Sequence, residues 1–486
     1  MTIQARQPVG PAPIPRRTLL WAMLAAAVGA ALTVLSPPAG FAFAVLVAVG
    51  AMVRGMPIGT AGVRLTALTA VAAVAGPNLA IPQAPSLFAF RVLIAVLLFG
   101  ALAYTLAGGR LGGFGPISIP VALLGLITLW AAMSIAWADD KGPAARWTLL
   151  FLLEAALAVS LPLAFATRRR AIRLLVVLGA VFAVSSILAL MEIKLGIRLP
   201  TSRLAKKSAT TTFAATSLFG NENNLATYLT LTLPYLLVLP LVFHEFRLRV
   251  LGLAASAAAL VALLFTGSKA NLLATGIILV TLLLFFGTDP RQRRRALGAV
   301  LVAAAAIGLV VPAVLGGGLI KLPQRAITKF DFGILQSQVS TGTGSGAVRD
   351  SLLKDGLALV GDTGGIGVGA GNADTHVRAL QNFPGVSNMH DWWLEVVVNL
   401  GLVGLALYVC FYLFLFTRQL RIARTAQDPL LRYLGLAGAA SLAGFVMGSL
   451  GPSSVLTFAP MWLTFGLGML TVTLARRAPD RDGRVP

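Results

Sequence analysis

Runs of about twenty apolar residues recur from one end of this 486-residue sequence to the other. Coiled as an α-helix, a run of that length crosses a hydrocarbon layer of about 30 Å. Within such a layer each backbone N–H and C=O must find its partner inside the protein, which helices achieve and open sheets do not. An all-α polytopic membrane protein follows. Composition agrees, with 57% of residues hydrophobic and 12% charged, against about 45–50% and 25% in soluble domains. That balance excludes a soluble enzyme, a disordered chain and a nucleic-acid binder, in spite of a formal net charge of +22. The single cysteine, Cys410, excludes an intrachain disulfide and a Cys-based metal site.

A window of about 19 residues places fourteen candidate spans, near 18–35, 39–53, 62–80, 87–107, 117–136, 146–166, 171–192, 222–243, 249–266, 270–287, 296–315, 391–417, 433–450 and 455–475. Pro57, Gly59, Gly76 and Pro77 crowd the ends of the second and third, which are the weakest. The first has an apolar run long for a signal peptide and is kept as a span. The expected architecture is a bundle of about 12–14 transmembrane helices with a large helical extracytoplasmic loop.

Charge sets the orientation, because short cytoplasmic loops collect Lys and Arg. With the N-terminus inside, 24 of the 39 Lys and Arg fall in cytoplasmic segments, and 11 of the other 15 sit in two long outer loops. The layout is then a cytoplasmic tail over 1–17, spans over 18–315 with an outer loop at 193–221, a large extracytoplasmic loop over 316–390, spans over 391–475, and a cytoplasmic tail over 476–486. Both termini face the cytoplasm.

The outer loops carry the polar residues that need an explanation. Lys194, Arg198, Arg203, Lys206 and Lys207 run against the positive-inside trend. A solvated basic loop explains any one of them; as a group they suit a phosphate-bearing partner, whose oxygens Arg grips with a planar fork. Asn221, Glu222, Asn223 and Asn224 enter a span from its outer end. One Asn is enough for a helix cap, and four polar residues in a row suit a cavity wall that bonds sugar hydroxyls. Lys269 stands at the membrane boundary in TGSKANLLATG, as a snorkelling side chain or an anion contact. Arg91 lies about one turn inside a span, where an ionisable group is costly and usually faces a cavity or a partner.

In the large loop Arg349 begins an amphipathic helix, with Leu352, Leu353 and Leu357 on its apolar face. The glycines of GDTGGIGVGAGN, over 361–372, lack the preceding strand of a phosphate-binding fingerprint and read as a tight packed turn. His390 stands at the outer mouth of the span at 391–417, among Asp391, Trp392, Trp393 and Glu395. With His244 in a cytoplasmic loop, His376 and His390 remain outside. His390, with carboxylates beside it, suits a general base. Glu395, one turn further on, is placed to polarise it or to pair with a cation.

The ordered set FGNENNLATYL, GSKANLLATG, VRDSLLKDGLALV…GIGVGAGN and HDWWLEVVVNLGLVGL, within residues 85–450, resembles the O-antigen ligase and polysaccharide polymerase superfamily. That superfamily includes lipopolysaccharide O-antigen ligases, Wzy-type polymerases and teichuronic-acid polymerases. The resemblance implies a GT-C-type, inverting glycosyltransferase of the bacterial cytoplasmic membrane. It would move a glycan from a polyprenyl-pyrophosphate carrier to a glycan or lipid acceptor at the outer face. No cofactor, metal or nucleic acid is implied; membrane lipids and other envelope polysaccharide assembly proteins are its expected companions. By the resemblance, His390 activates the acceptor, while Lys269, Arg349 and Arg91 hold the pyrophosphate, with Arg203 added from the basic loop. Asn221, Glu222, Asn223, Asn224, Asp391 and Glu395 are the expected sugar or carrier contacts. Two positions depart from the family pattern: Lys269 stands where Arg is usual, without its bidentate fork, and Asp391 stands where Asn is common. A lipid-linked glycan flippase or transporter is the rival from another class, and polymerase against ligase is left open.

Overall fold

The computed structural model describes residues 58–81, 84–106, 114–205, 214–286, 298, 344–379, 388–452, 456 and 458–477. The long helices are α1 (Ile58–Ala75), α2 (Ala89–Leu106), α3 (Ser118–Ser134), α4 (Lys141–Phe165), α5 (Arg168–Leu195), α6 (Glu222–Val242), α7 (Phe246–Thr266) and α8 (Lys269–Phe286). After them come α9 (Gly344–Asp362), the short α10 (Ala373–Ala379), α11 (Trp392–Thr425), α12 (Pro429–Gly448) and α13 (Ala459–Arg477). Two extended pieces, Ala80–Ile81 and Ala84–Phe88, pair antiparallel just before α2. Among the described residues everything else regular is helical. Among the described residues nine helices are long and apolar enough to cross a membrane. The protein is a multi-pass membrane protein.

Eleven of the fourteen expected spans coincide with these helices; those near 18–35 and 39–53, and that near 296–315 but for residue 298, lie outside the described residues. Local chemistry sets several helix starts. Asp140 caps α4 through Gly142 N (3.0 Å), Asn221 caps α6 through Asn223 N (2.8 Å), and Asp428 caps α12 through Leu430 N (2.7 Å). Each carboxylate or amide oxygen satisfies an N–H that the helix itself leaves unpaired.

Helices α12 and α13 form the centre of the bundle, and most of their residues are buried. Around Trp462 and Phe465 of α13 pack Trp392, Tyr408 and Phe411 of α11 and Phe151 of α4, with ring centroids 4.9–6.4 Å apart. Such edge-to-face aromatic pairs add roughly 0.5–1.5 kcal/mol each beyond the area they bury.

Hydropathy draws α11 as one unbroken run, yet the helix breaks at Gly401 (φ 67°, ψ −168°). The glycine-rich segment after α9 fills the break. Val368 N donates to Val398 O (2.9 Å), Leu402 N donates to Gly365 O (2.8 Å), and the Trp130 indole donates to Leu400 O (2.8 Å). Irregular backbone at membrane depth is tolerated where protein supplies the lost partners. Further along, Ala370 N donates to Ser134 Oγ (2.9 Å), and the Asn372 amide exchanges two hydrogen bonds with the Asp140 backbone (2.8 and 3.0 Å). The expected tight packed turn is therefore a wedge between α3, α4 and α11. A Cβ on Gly367 would stand 2.9 Å from the carbonyls of Asn399 and Val398; only a residue without one lets these backbones approach so closely.

Candidate functional site

The site lies where the ends of α6, α8, α9, α11 and α12 converge. The wedge pins the C-terminal end of α9, while Leu352 packs with Leu394, Val397 and Val398 of α11. Close packing of Gly356 on Leu394 seals the contact. Arg349, on the first turns of α9, is thereby held over the start of α11, where its charge acts on Asp391 and His390. Burial pulls Arg349 below the usual guanidinium range, and Asp391 opposes that pull. An arginine stays charged throughout the accessible pH range.

His390 has a left-handed backbone (φ 51°), a conformation that His tolerates better than most side chains. Its N–H donates to Asn388 Oδ1 (3.2 Å), and its ring hydrogen-bonds the backbone of Pro452, just beyond α12. Proline offers only a carbonyl, so the imidazole is the donor; in the neutral ring its second nitrogen is then an acceptor. The next backbone group anchors the same strip, with Trp392 N donating to Ser449 O (3.3 Å). Burial lowers the imidazole pKa below its ordinary 6.5, the Arg349 and Arg203 charges lower it further, and the Pro452 bond works against them. These influences together favour the neutral ring, whose second nitrogen can take a proton.

Asp391 is the cap of α11, its carboxylate accepting from Trp393 N (2.9 Å) and Leu394 N (3.3 Å). Asp and Asn cap a helix about equally well. Burial raises its pKa, opposed by those two N–H bonds and by Arg349. Asp391→Asn should leave thermal stability in detergent nearly unchanged. Asp391→Ala should lower it by about 1 kcal/mol. Equal melting temperatures for the two variants would remove the capping account.

Lys269 follows Ser268 at the start of α8. The Asn271 amide behind it donates to Ser268 Oγ (3.0 Å) and to Thr227 Oγ1 of α6 (3.2 Å), and Thr227 reaches Gly448 O at the end of α12 (3.3 Å). The serine turn thus abuts the segment that holds His390. On the other flank Arg203 grips Glu222 with two bonds, one of 2.7 Å from Nε. Glu222 is therefore bound to Arg203, and Asn221 is spent on its cap. Asn223 and Asn224 follow on the first turn of α6.

Arg91 has other neighbours. Its guanidinium lies over the Phe88 ring (4.6 Å), and the charged groups acting on it are Glu154 and Arg146 of α4. Glu395 is buried beside a small cavity walled by Trp147, Phe151, Trp392 and Tyr408, and the charges acting on it are those of Asp374 and Asp391.

Four placements went unread in the sequence. Glu192 is buried and accepts from Thr216 N and Ser217 N (3.0 Å for the latter), and so shapes the outer loop that carries Arg203 and Asn221. Asn399 accepts from Ala373 N (3.0 Å) and fixes the start of α10. Asp374 lies on α10, its carboxyl pushed up to about 6 by burial in spite of Arg378. Glu154 is buried within a span. Glu154 and Glu192 did carry a signal, since acids inside apolar runs are rare and seldom idle. Among the described residues no three His, Cys, Asp or Glu side chains gather as metal ligands do.

Residues 254–409 match the family model described as O-antigen ligase. Over that stretch the chain is similar to the O-antigen ligase family. The match runs from within α7 through the serine turn of Lys269, the α9 helix of Arg349 and the wedge, to His390 and the break at Gly401. Arg91, Arg203 and Asn221–Asn224 lie outside the O-antigen ligase match. A relative, the teichuronic acid biosynthesis protein TuaE of Bacillus subtilis (strain 168), is 26% identical over 270 residues. The aligned region covers 54% of this chain and 53% of TuaE, so the chain spans about half the length of the curated relative it matches.

Proposed function

We propose that the protein is an inverting membrane glycosyltransferase that takes a glycan from a polyprenyl-pyrophosphate carrier. The supporting observation is the half-buried imidazole of His390, tethered to Pro452 and set beside the Arg349 charge. A base and a cation so paired match a reaction that withdraws a proton at one atom and gathers negative charge at another.

The acceptor hydroxyl oxygen attacks the anomeric carbon from the face opposite the pyrophosphate, and its proton passes to the free ring nitrogen of His390. The new carbon–oxygen bond forms as the anomeric carbon–phosphate oxygen bond breaks, and the electron pair leaves with the pyrophosphate. Arg349, with Lys269 and Arg203 on the flanks, offsets that charge, an arrangement worth most where water is excluded. The proton on His390 then returns to solvent or to the departing pyrophosphate. Arg91 is proposed as a further phosphate contact, and Asn223 and Asn224, with Glu222, Asn221, Asp391 and Glu395 around them, as the sugar and carrier wall.

The site is proposed to face outward from a bacterial cytoplasmic membrane, with both termini inside. The loop over 316–390 is proposed to be its outer cover, and the spans over 18–315 and 391–475 its membrane domain. A glycan or lipid acceptor, surrounding lipids and other envelope polysaccharide assembly proteins are its proposed partners.

The test is reconstitution in liposomes with a lipid-pyrophosphate-linked oligosaccharide, in EDTA, with products read by mass spectrometry. Release of carrier pyrophosphate with a doubled glycan is the result expected of a polymerase. Transfer only after a second acceptor is added is that of a ligase. Movement of the lipid across the bilayer without any transfer would sink the enzyme reading in favour of a flippase.

A further inference from the structure

A cavity of about 120 Å³ lies inside the bundle between α1, α5, α6, α12 and α13, and the reaction above leaves it unused. Its walls are apolar for the most part. Six leucines, three tyrosines and Phe182 make most of the wall, and an apolar lining of this kind favours a greasy occupant; the Tyr235 hydroxyl buried among them has no hydrogen-bond partner among the described residues. On the side of α5 and α6 the wall gives way. Gly179 is exposed, Thr232 and Leu236 are half-buried, and a methyl group built on Gly179 would meet nothing within 4 Å. Gly179 lies in the middle of a membrane-spanning helix, so this mouth opens sideways into hydrocarbon.

The roof of the cavity belongs to the candidate site. Phe182 and Tyr228 stand 6.4 Å apart, and Phe219 lies on Tyr228 at 4.8 Å. Phe219 directly precedes Gly220, whose carbonyl accepts from Arg203 N (2.9 Å), and Asn221. Tyr228 is six residues along α6 from Glu222, a distance of about 9 Å at 1.5 Å per residue. An apolar pocket of about 150 Å³ takes up one benzene molecule. This cavity is thus of a size for one five-carbon unit, a short way below the cations.

We propose that the cavity takes a single isoprene unit near the pyrophosphate end of the carrier lipid, which slips in sideways past Gly179. The proposal rests on the lipid-linked donor proposed above and adds where the carrier is gripped. The grip reads the proximal part of the tail, and the remaining units lie in the bilayer.

The experiment uses the full chain in liposomes and a polyprenyl pyrophosphate with a photoreactive diazirine on its second isoprene unit. The label is expected on 175–182 and 228–236. It should be displaced by unlabelled polyprenyl pyrophosphate and hardly at all by extra phospholipid. Gly179→Phe should cut labelling at least about tenfold, as when one small apolar group loses its buried contact. Gly179→Ala, which only adds a methyl group in open space, should retain it and show that the helix tolerates substitution. Labelling on other helices, labelling unmoved by Gly179→Phe in a folded protein, or equal displacement by phospholipid would each overturn the proposal. If the label lands as expected and no glycan is ever transferred, the enzyme reading falls and the tail site stands. If glycan is transferred and the label lands elsewhere, the tail site falls alone.

Discussion

Replacing His390 with Asn should slow glycan transfer by about 10²–10⁴-fold, the usual worth of a positioned proton acceptor, while the protein still folds. Asn is the informative choice because residue 390 has a φ of 51°, which Asn adopts more readily than Ala does. A loss in His390→Ala alone would report backbone strain; a matching loss in both variants reports the imidazole. The pH profile supplies the second reading. Burial and the neighbouring guanidinium of Arg349 put the imidazole pKa below 6.5. The neutral base is therefore favoured at neutral pH, and kcat/KM should hold as pH falls from 8 to 7, with its acid limb centred below 6.5. Below that the ring takes a proton and activity should drop, with a limb that Arg349→Gln shifts towards higher pH by removing the cation that resists protonation. Full turnover in His390→Asn would end the role given to this side chain.

Gly401→Val should prevent the protein from reaching its native packing. A Cβ there would collide with the Gly365 carbonyl and the Ile366 backbone, and φ is +67°. With ψ at −168° the backbone lies in a region essentially reserved for glycine, which costs another residue roughly 1–3 kcal/mol, and overpacking a tight core adds typically 1–3 kcal/mol. Since the wedge would be expelled from the break, the Leu402 N–H and the Val398 carbonyl would also lose their partners. The expected outcome is a sharp fall in monodisperse protein after detergent extraction. Gly361→Val should extract normally, because a Cβ at Gly361 meets nothing within 4 Å. Equal yields of the two variants would show that the contact between segment and helix break is dispensable.

Hydropathy made the spans legible because the bilayer imposes one length and one composition on every crossing. The same uniformity hid the break in α11: to an average over residues, VVVNLGLVGLAL is one apolar run. Whether Gly401 continues the helix depends on a segment more than thirty residues earlier in the chain. His390, Arg349 and Lys269 stood out because a polar group beside an apolar run is conspicuous. What they lean on did not. Pro452 acts through a carbonyl that every residue possesses, and Glu192 and Asn399 act on backbone N–H groups whose positions follow only from the fold. Arg91 was legible as an intramembrane charge, and the company it keeps, Glu154 and Arg146, was not. Asn221 reads from sequence as a ligand or as a helix cap and Asp391 as a ligand; the hydrogen bonds of both are those of caps.

The seating of α9 against α11 bears on how fast such a site can work. Arg349 and His390 are carried by elements joined by the apolar packing of Leu352 and Gly356 on α11 and by the backbone junction at the Gly401 break. Their spacing is thus established when the protein folds. A reacting bond arriving between them would find its dipoles already oriented, with little solvent to rearrange. The work of aligning charge then falls on folding, once, and the barrier of each turnover is spared it.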